Sequence, residues 1–276
     1  MQVIKLISYI LVSVVIVLFA LFFLRAPSND RVWNKDQQLL SYADIKDDTV
    51  EVYNIRNIDY SSTTDYKVSY YNSTYNLSDI SSMYFVLEPF KNEWDGAAHT
   101  FLSFGFEDGR YLAVSVEIRK EAGESFSAIK GLFRNYELMY VFADERDVIM
   151  LRSNFRGDDV YVYPVNTTGE KMKMLFLDIA NRANKLRDKP EFYNTLTSTC
   201  TTNIVDHINR ISPSRVPFSL KILAPGFSDE LAYNLGLINT TLTLEEARNF
   251  YKINERALKF ADDPDFSDKI RMPLKQ

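Results

Sequence analysis

The chain of 276 residues holds a single cysteine, Cys200, and only two histidines, His99 and His207. One cysteine rules out an intramolecular disulfide. No HExxH, CxxC or clustered Asp/His set occurs, which argues against a metal site. No glycine-rich phosphate loop is present, so no cofactor is expected. Basic charge is scarce too. The 32 Lys and Arg fall short of the 37 Asp and Glu, giving a net charge of -5. A nucleic-acid partner normally needs a basic face, and none is expected here.

Apolar residues, by contrast, are plentiful: 46% of the chain is hydrophobic, with 17 Tyr and 19 Phe, enough for a packed core. From Leu6 to Leu24 every residue is apolar or a Ser or Tyr, between Lys5 and Arg25. That length suits a helix crossing the ~30 Å hydrocarbon core. The following FFLRAPS offers no convincing cleavage site. Residues 1–25 therefore read as an uncleaved signal anchor, with the lipid bilayer as partner through residues 6–24. Lys5 on one side nearly balances Arg25 and Arg31 on the other. A short head is easily retained inside, which puts the large domain outside.

Residues 26–48 read as a polar linker. TVEVYNIRNIDY, DYKVSYYNSTYNL, DISSMYFVLEPF and the hairpin HTFLSFGFEDGRYLAVSVEIR alternate as strands. LMYVFADERDVIMLRSN holds a strand and then a helix or second strand, and DDVYVYPV is another strand. GEKMKMLFLDIANRANKLRDKP is an amphipathic helix stopped before Pro190. Thr243 and Glu246 form a capping box for a closing helix. Strands first and helices later predict an α+β domain over residues 49–220, its antiparallel sheet packed with helices, and a helical extension over 221–276.

Within the hairpin, a three-residue loop of Glu107, Asp108 and Gly109 pairs Phe106 with Arg110 and sets His99 opposite Glu117. Thr100, Leu102, Phe104 and Phe106 then share an apolar face with Leu112, Val114, Val116 and Ile118. His99, Phe101, Ser103 and Gly105 share a more polar one with Tyr111, Ala113, Ser115 and Glu117. A two-residue Asp-Gly loop would shift the register by one and put Glu117 on the wrong face. A carboxylate opposite an imidazole can orient it, and such a histidine is half of a nucleophilic site. Cys200 can supply the other half. Ser198 or Thr199 N-caps a helix whose apolar stripe is Ile204, Val205, Ile208 and Ile211, which puts Cys200 in the first turn. There the helix dipole favours a thiolate and free amides can hold an oxyanion. His207 lies about 10 Å along the same helix and reads as a surface or packing residue.

The blocks AAHTFLSFGFEDGRYLAVSVEIRKEAGESFS, ERDVIMLRSN and FYNTLTSTCTTNI resemble, in order, those of the Lnb N-terminal periplasmic domain family, over roughly residues 30–215. The family usually has Asn where this chain has Thr199. The resemblance implies a permuted papain-like (NlpC-type) fold, with Cys200 as nucleophile, His99 as base and Glu117 as orienting residue. It implies a bacterial inner-membrane protein, single-pass, with its bulk on the periplasmic side. The expected function is a cysteine-dependent acyltransferase or hydrolase acting on a lipoprotein, a phospholipid or another lipid-linked ester or amide. The alternatives are a peptidoglycan peptidase or amidase, and a non-catalytic envelope binding module with an idle triad. Arg119, Arg146, Asp147 and Arg152 are read as structural salt-bridge residues.

Overall fold

The computed structural model describes residues 5–7, 9–14, 17, 25–91 and 93–273. The expected span over 6–24 thus falls about half outside the described residues. Residues 5–7, 9–14 and 17 are helical. Among the described residues no helix is long and apolar enough to cross a membrane.

Ten strands follow: β1 (Tyr42–Lys46), β2 (Thr49–Arg56), β3 (Asp59–Tyr60), β4 (Tyr66–Lys67), β5 (Tyr70–Asn76), β6 (Ile80–Pro89), β7 (Ala98–Phe106), β8 (Tyr111–Arg119), β9 (Glu137–Ala143) and β10 (Tyr161–Pro164). The helices are α1 (Ala128–Leu132), α2 (Glu145–Met150), α3 (Gly169–Asp188), α4 (Cys200–Ile211), α5 (Leu220–Leu223), α6 (Ser228–Asn234), α7 (Leu244–Tyr251), α8 (Asn254–Lys259) and α9 (Phe266–Lys269). Eight strands form one sheet in the order β1-β2-β9-β8-β7-β6-β10, with β5 also on β2; β3 and β4 make a separate ribbon. The architecture is the expected α+β type. One pairing departs from the antiparallel expectation: β2 meets β9 in parallel at the single pair Arg56↔Ala143. The supposed linker also departs, since β1 lies within it and pairs with β2.

The β7–β8 hairpin takes the three-residue loop. The Phe106 amide donates to the Arg110 carbonyl and the Gly109 amide to that of Phe106, at 2.9 and 3.0 Å. Gly109 has φ 82°, in the left-handed region where glycine carries no Cβ penalty. The pairs run from Gly105↔Tyr111 to Phe101↔Ser115.

Alternation along the strands divides the core in two. Leu102, Phe104, Phe106, Leu112, Val114, Val116, Leu138, Tyr140 and Phe142 pack with the buried stripe of α3 and with Ile204 of α4. Phe101, Ala113, Met139, Val141 and Ala143 pack instead with Val148 and Ile149 of α2 and with Ile253, Ala257, Phe266 and Ile270 from the C-terminal region. That region therefore closes the second face of the sheet. Thr199 caps α4 and Thr243 caps α7, each through a capping box.

Candidate functional site

On the second face, the His99 ring lies with Nε2 2.7 Å from the Ser115 hydroxyl, which donates to Glu117 Oε1 at 3.0 Å. The single serine proton points at the carboxylate, so Nε2 supplies the proton of the first bond. Arg152 Nη2 lies 3.3 Å from Glu117 Oε1 and Arg56 Nη1 3.5 Å from Oε2. Behind them the pairs continue. Arg56 grips Asp147 with two bonds of 3.0 Å, and Asp147 also accepts the Ile58 amide at 2.8 Å. Residues 151–156 wind as a π-helix, and from it Arg152 and Arg156 reach Glu88 at 2.5 and 3.2 Å. Burial and the neighbouring Arg152 charge push His99 down to about 3. Burial opposes the charge on Glu117, but Arg56 and Arg152 outweigh it and hold the carboxyl well below its usual range. Burial pushes Glu88 up despite its two arginines. The lowered pKa favours the neutral histidine, whose ring is held by the Ser115 hydroxyl.

Cys200 lies on the other side of the sheet. It opens α4 and is buried with the apolar cluster of Leu102, Phe104 and Ile204. Its Sγ is 3.7 Å from the Thr201 hydroxyl, which lies 2.9 Å from that of Thr100 on β7. Because Thr100 faces α4, its neighbour His99 faces away. The structure brings His99 and Glu117 together through Ser115 but does not bring Cys200 to them. The reason is packing. The stripe of α4 must bury against the more apolar face of the hairpin, and Cys200 goes with it.

The helix offers its thiol other neighbours. Burial raises the Tyr193 phenol, which packs in the same cluster as Cys200. The Thr199 hydroxyl takes the Thr202 amide at 3.2 Å, leaving those of Cys200 and Thr201 as the outermost donors of α4. His207, read from the sequence as a surface or packing residue, is buried, 1% exposed. Its Nδ1 meets Asp178 at 2.6 Å, and its Nε2 meets the Tyr140 hydroxyl, itself 3.1 Å from Asn203. Burial pushes His207 down against the pull of Asp178.

Beside α4 runs an apolar cavity of about 270 Å³. One wall is Thr201, Ile204, Val205, Ile208 and Ile211; Phe85 and Leu102 of the sheet, Leu175 of α3 and Leu231 and Leu235 of the α6 region complete it. From Thr201 to Ile211 the wall rises about 15 Å. Lys171 and Arg215 also line it, both exposed. Nothing in the sequence announced this space, because its far wall comes from the extension over residues 221–276.

Of the four supposed salt-bridge residues, Asp147 and Arg152 make ion pairs. Arg119 binds the carbonyls of Gln37 and Gln38, and Arg146 those of Ala261 and Asp263. Sequence reasoning missed Arg56 and Glu88, whose partners are distant in the chain, and placed Ser115 on the polar face without giving it a role. Among the described residues no group of three or more His, Cys, Asp or Glu is placed to hold a metal.

No curated protein and no solved structure matches the chain. The sequence model of the Lnb N-terminal periplasmic domain matches residues 66–226, more than half of the chain and the stretch that carries the whole hairpin, α4 and most of the cavity wall. The chain belongs to the Lnb N-terminal periplasmic domain family, and with it to the extracytoplasmic side of a cell envelope.

Proposed function

We propose that the chain is a membrane-anchored envelope module that takes the acyl chain of a lipid or a lipid-linked protein into the cavity beside α4. The observation that carries this reading is the cavity itself. Its walls are mainly Ile, Leu, Val and Phe, as a hydrocarbon chain requires, whereas a peptide-cleaving site would present an open polar groove. Lys171 and Arg215 at its edge suit an anionic head, such as a phosphate or a carboxylate. The anchor over residues 6–24 would keep the domain beside its ligand. The test is to extract the chain purified from membranes and count co-purified acyl lipid. The expected result is roughly equimolar acyl lipid on the wild type and loss in Ile208→Glu and Leu235→Trp, with melting temperature checking that each variant is folded. Equal recovery from folded variants would refute the reading.

A second reading is supported by the position of Cys200 next to Thr201, which lines the cavity. In it the thiol adds to the ester carbonyl of the bound lipid. A C–S bond forms, the C–O bond breaks, and the thiol proton ends on the leaving alcohol. Labelling with a lipid-ester probe separates the cases. Thiol acylation predicts loss in Cys200→Ala and retention in His99→Ala, because His99 faces the other side of the sheet. Loss in both variants would restore the Cys200–His99–Glu117 triad of a permuted papain-like enzyme, and equal labelling of all three proteins would leave the binding module alone.

A further inference from the structure

We propose that one end of the sheet, where the chain enters from its N-terminal apolar stretch, is a bilayer-facing surface that inserts Ile129, Phe126, Leu196 and Trp94 among lipid headgroups. This rests on the reading that residues 6–24 cross the bilayer. The entry point is fixed by Arg25, which donates to the Asn135 carbonyl at 3.4 Å, lies over the Phe192 ring and pairs with Glu121. These contacts hold it beside the start of β9.

The register then names what else lies at that end. β7 and β8 are antiparallel, as are β8 and β9, with Arg119 opposite Glu137. The start of β7, the end of β8 and the start of β9 therefore lie together, and the 107–109 turn lies at the far end. Large apolar side chains crowd the near end in the open. Ile129 on α1 is 70% exposed, Phe126 before it 52%, Leu196 56% and Trp94 in the β6–β7 loop 62%. α1 and the Leu196 loop are one surface, since Thr195 Oγ1 donates to the Ala128 carbonyl at 2.7 Å. Within that loop the Leu196 and Thr197 amides both donate to Asn194 Oδ1, so Leu196 is presented on a fixed turn.

Apolar side chains that would be a liability in water are suited to an interface that a neighbouring span already holds close. The tether raises the local lipid concentration, so shallow insertion of a few side chains suffices to orient the domain. Cys200 follows Leu196 by four residues, so this orientation turns the start of α4 toward the lipid ester region.

The full chain, in a Cys200→Ser background and reconstituted in phosphatidylcholine–phosphatidylglycerol vesicles, would be labelled with an environment-sensitive fluorophore at Ile129→Cys or Leu196→Cys. Asp108→Cys, at the tip of the far turn, is the control. Blue-shifted emission and several-fold stronger quenching by brominated lipids are expected at 129 and 196 and not at 108. A chain that floats with vesicles while 129 and 196 behave like 108 would overturn the surface. A blue shift without lipid quenching would mean that protein covers it, and would overturn it as well. A chain that does not float refutes the span, and the surface falls with it.

Discussion

Acidification should weaken this fold through His99, and the size of the effect follows from its surroundings. An unfolded histidine titrates near 6.5, while the folded one is pushed down to about 3 by burial and by the charge of Arg152, with Arg156 and Arg56 adding to it and Glu117 opposing. As pH falls from about 6.5, the unfolded chain takes up a proton that the folded chain refuses. The unfolded state then binds more protons, so stability drops as pH drops. Between pH 6.5 and 4.5 the linkage integral is about 2 kcal/mol for this one group. Solvent at the partly open edge of the ring trims that to roughly 1–2 kcal/mol. Glu117 acts in the same direction only at lower pH, since a depressed carboxyl loses its contribution below its unfolded value near 4.3. His207, also pushed down, adds its own loss in the same window. The clean measurement is therefore a difference. Urea unfolding of the chain in detergent micelles, followed by the emission of buried Trp33, would be run at several pH values for wild type and His99→Gln. The glutamine amide can still donate to Ser115, so the variant should fold, and its stability should fall less steeply on acidification. Parallel curves for the two proteins would refute the account of His99 as a neutral, charge-flanked histidine.

Two further substitutions probe the packing. Arg56→Met leaves Asp147 buried with only the Ile58 amide beside it and should cost about 3–5 kcal/mol in denaturant unfolding; a loss under about 1 kcal/mol would show that the pair carries little. Gly226→Ala would place a Cβ 1.9 Å from the Asp95 carbonyl oxygen, where the Gly226 amide now bonds Gly96 at 3.1 Å. Backbone must move, so a cost of about 1–3 kcal/mol and a lowered melting temperature are expected, and an unchanged melting temperature would contradict the contact.

The hairpin was legible in the sequence because its signals are local. The Glu107–Gly109 turn sets the register, and strict alternation assigns each side chain to a face. The start of α4 was legible for the same reason, through Thr199 and the isoleucine stripe. Which face of the sheet α4 would cover was not written locally. A Cys–His pairing needs the polar face, whereas Ile204 and Ile208 need the apolar one, and burial of the stripe decided. Arg56 was invisible because its partners Asp147 and Glu117 lie 91 and 61 positions away. β1 reads as linker because a short edge strand of mixed polarity has no pattern of its own until β2 lies beside it.

The lone parallel contact between β2 and β9 makes the eight-stranded sheet two smaller sheets stitched at one residue. Arg56 is that stitch: its carbonyl takes the Asp144 amide at 2.8 Å and its guanidinium grips Asp147. Hydrogen exchange should divide along this seam, with amides of β1, β2 and β5 opening as one unit before those of β7, β8 and β9. Such a division gives the sheet a place to yield between β2 and β9, with the Arg56–Glu117 pair as a link from that seam to the hairpin.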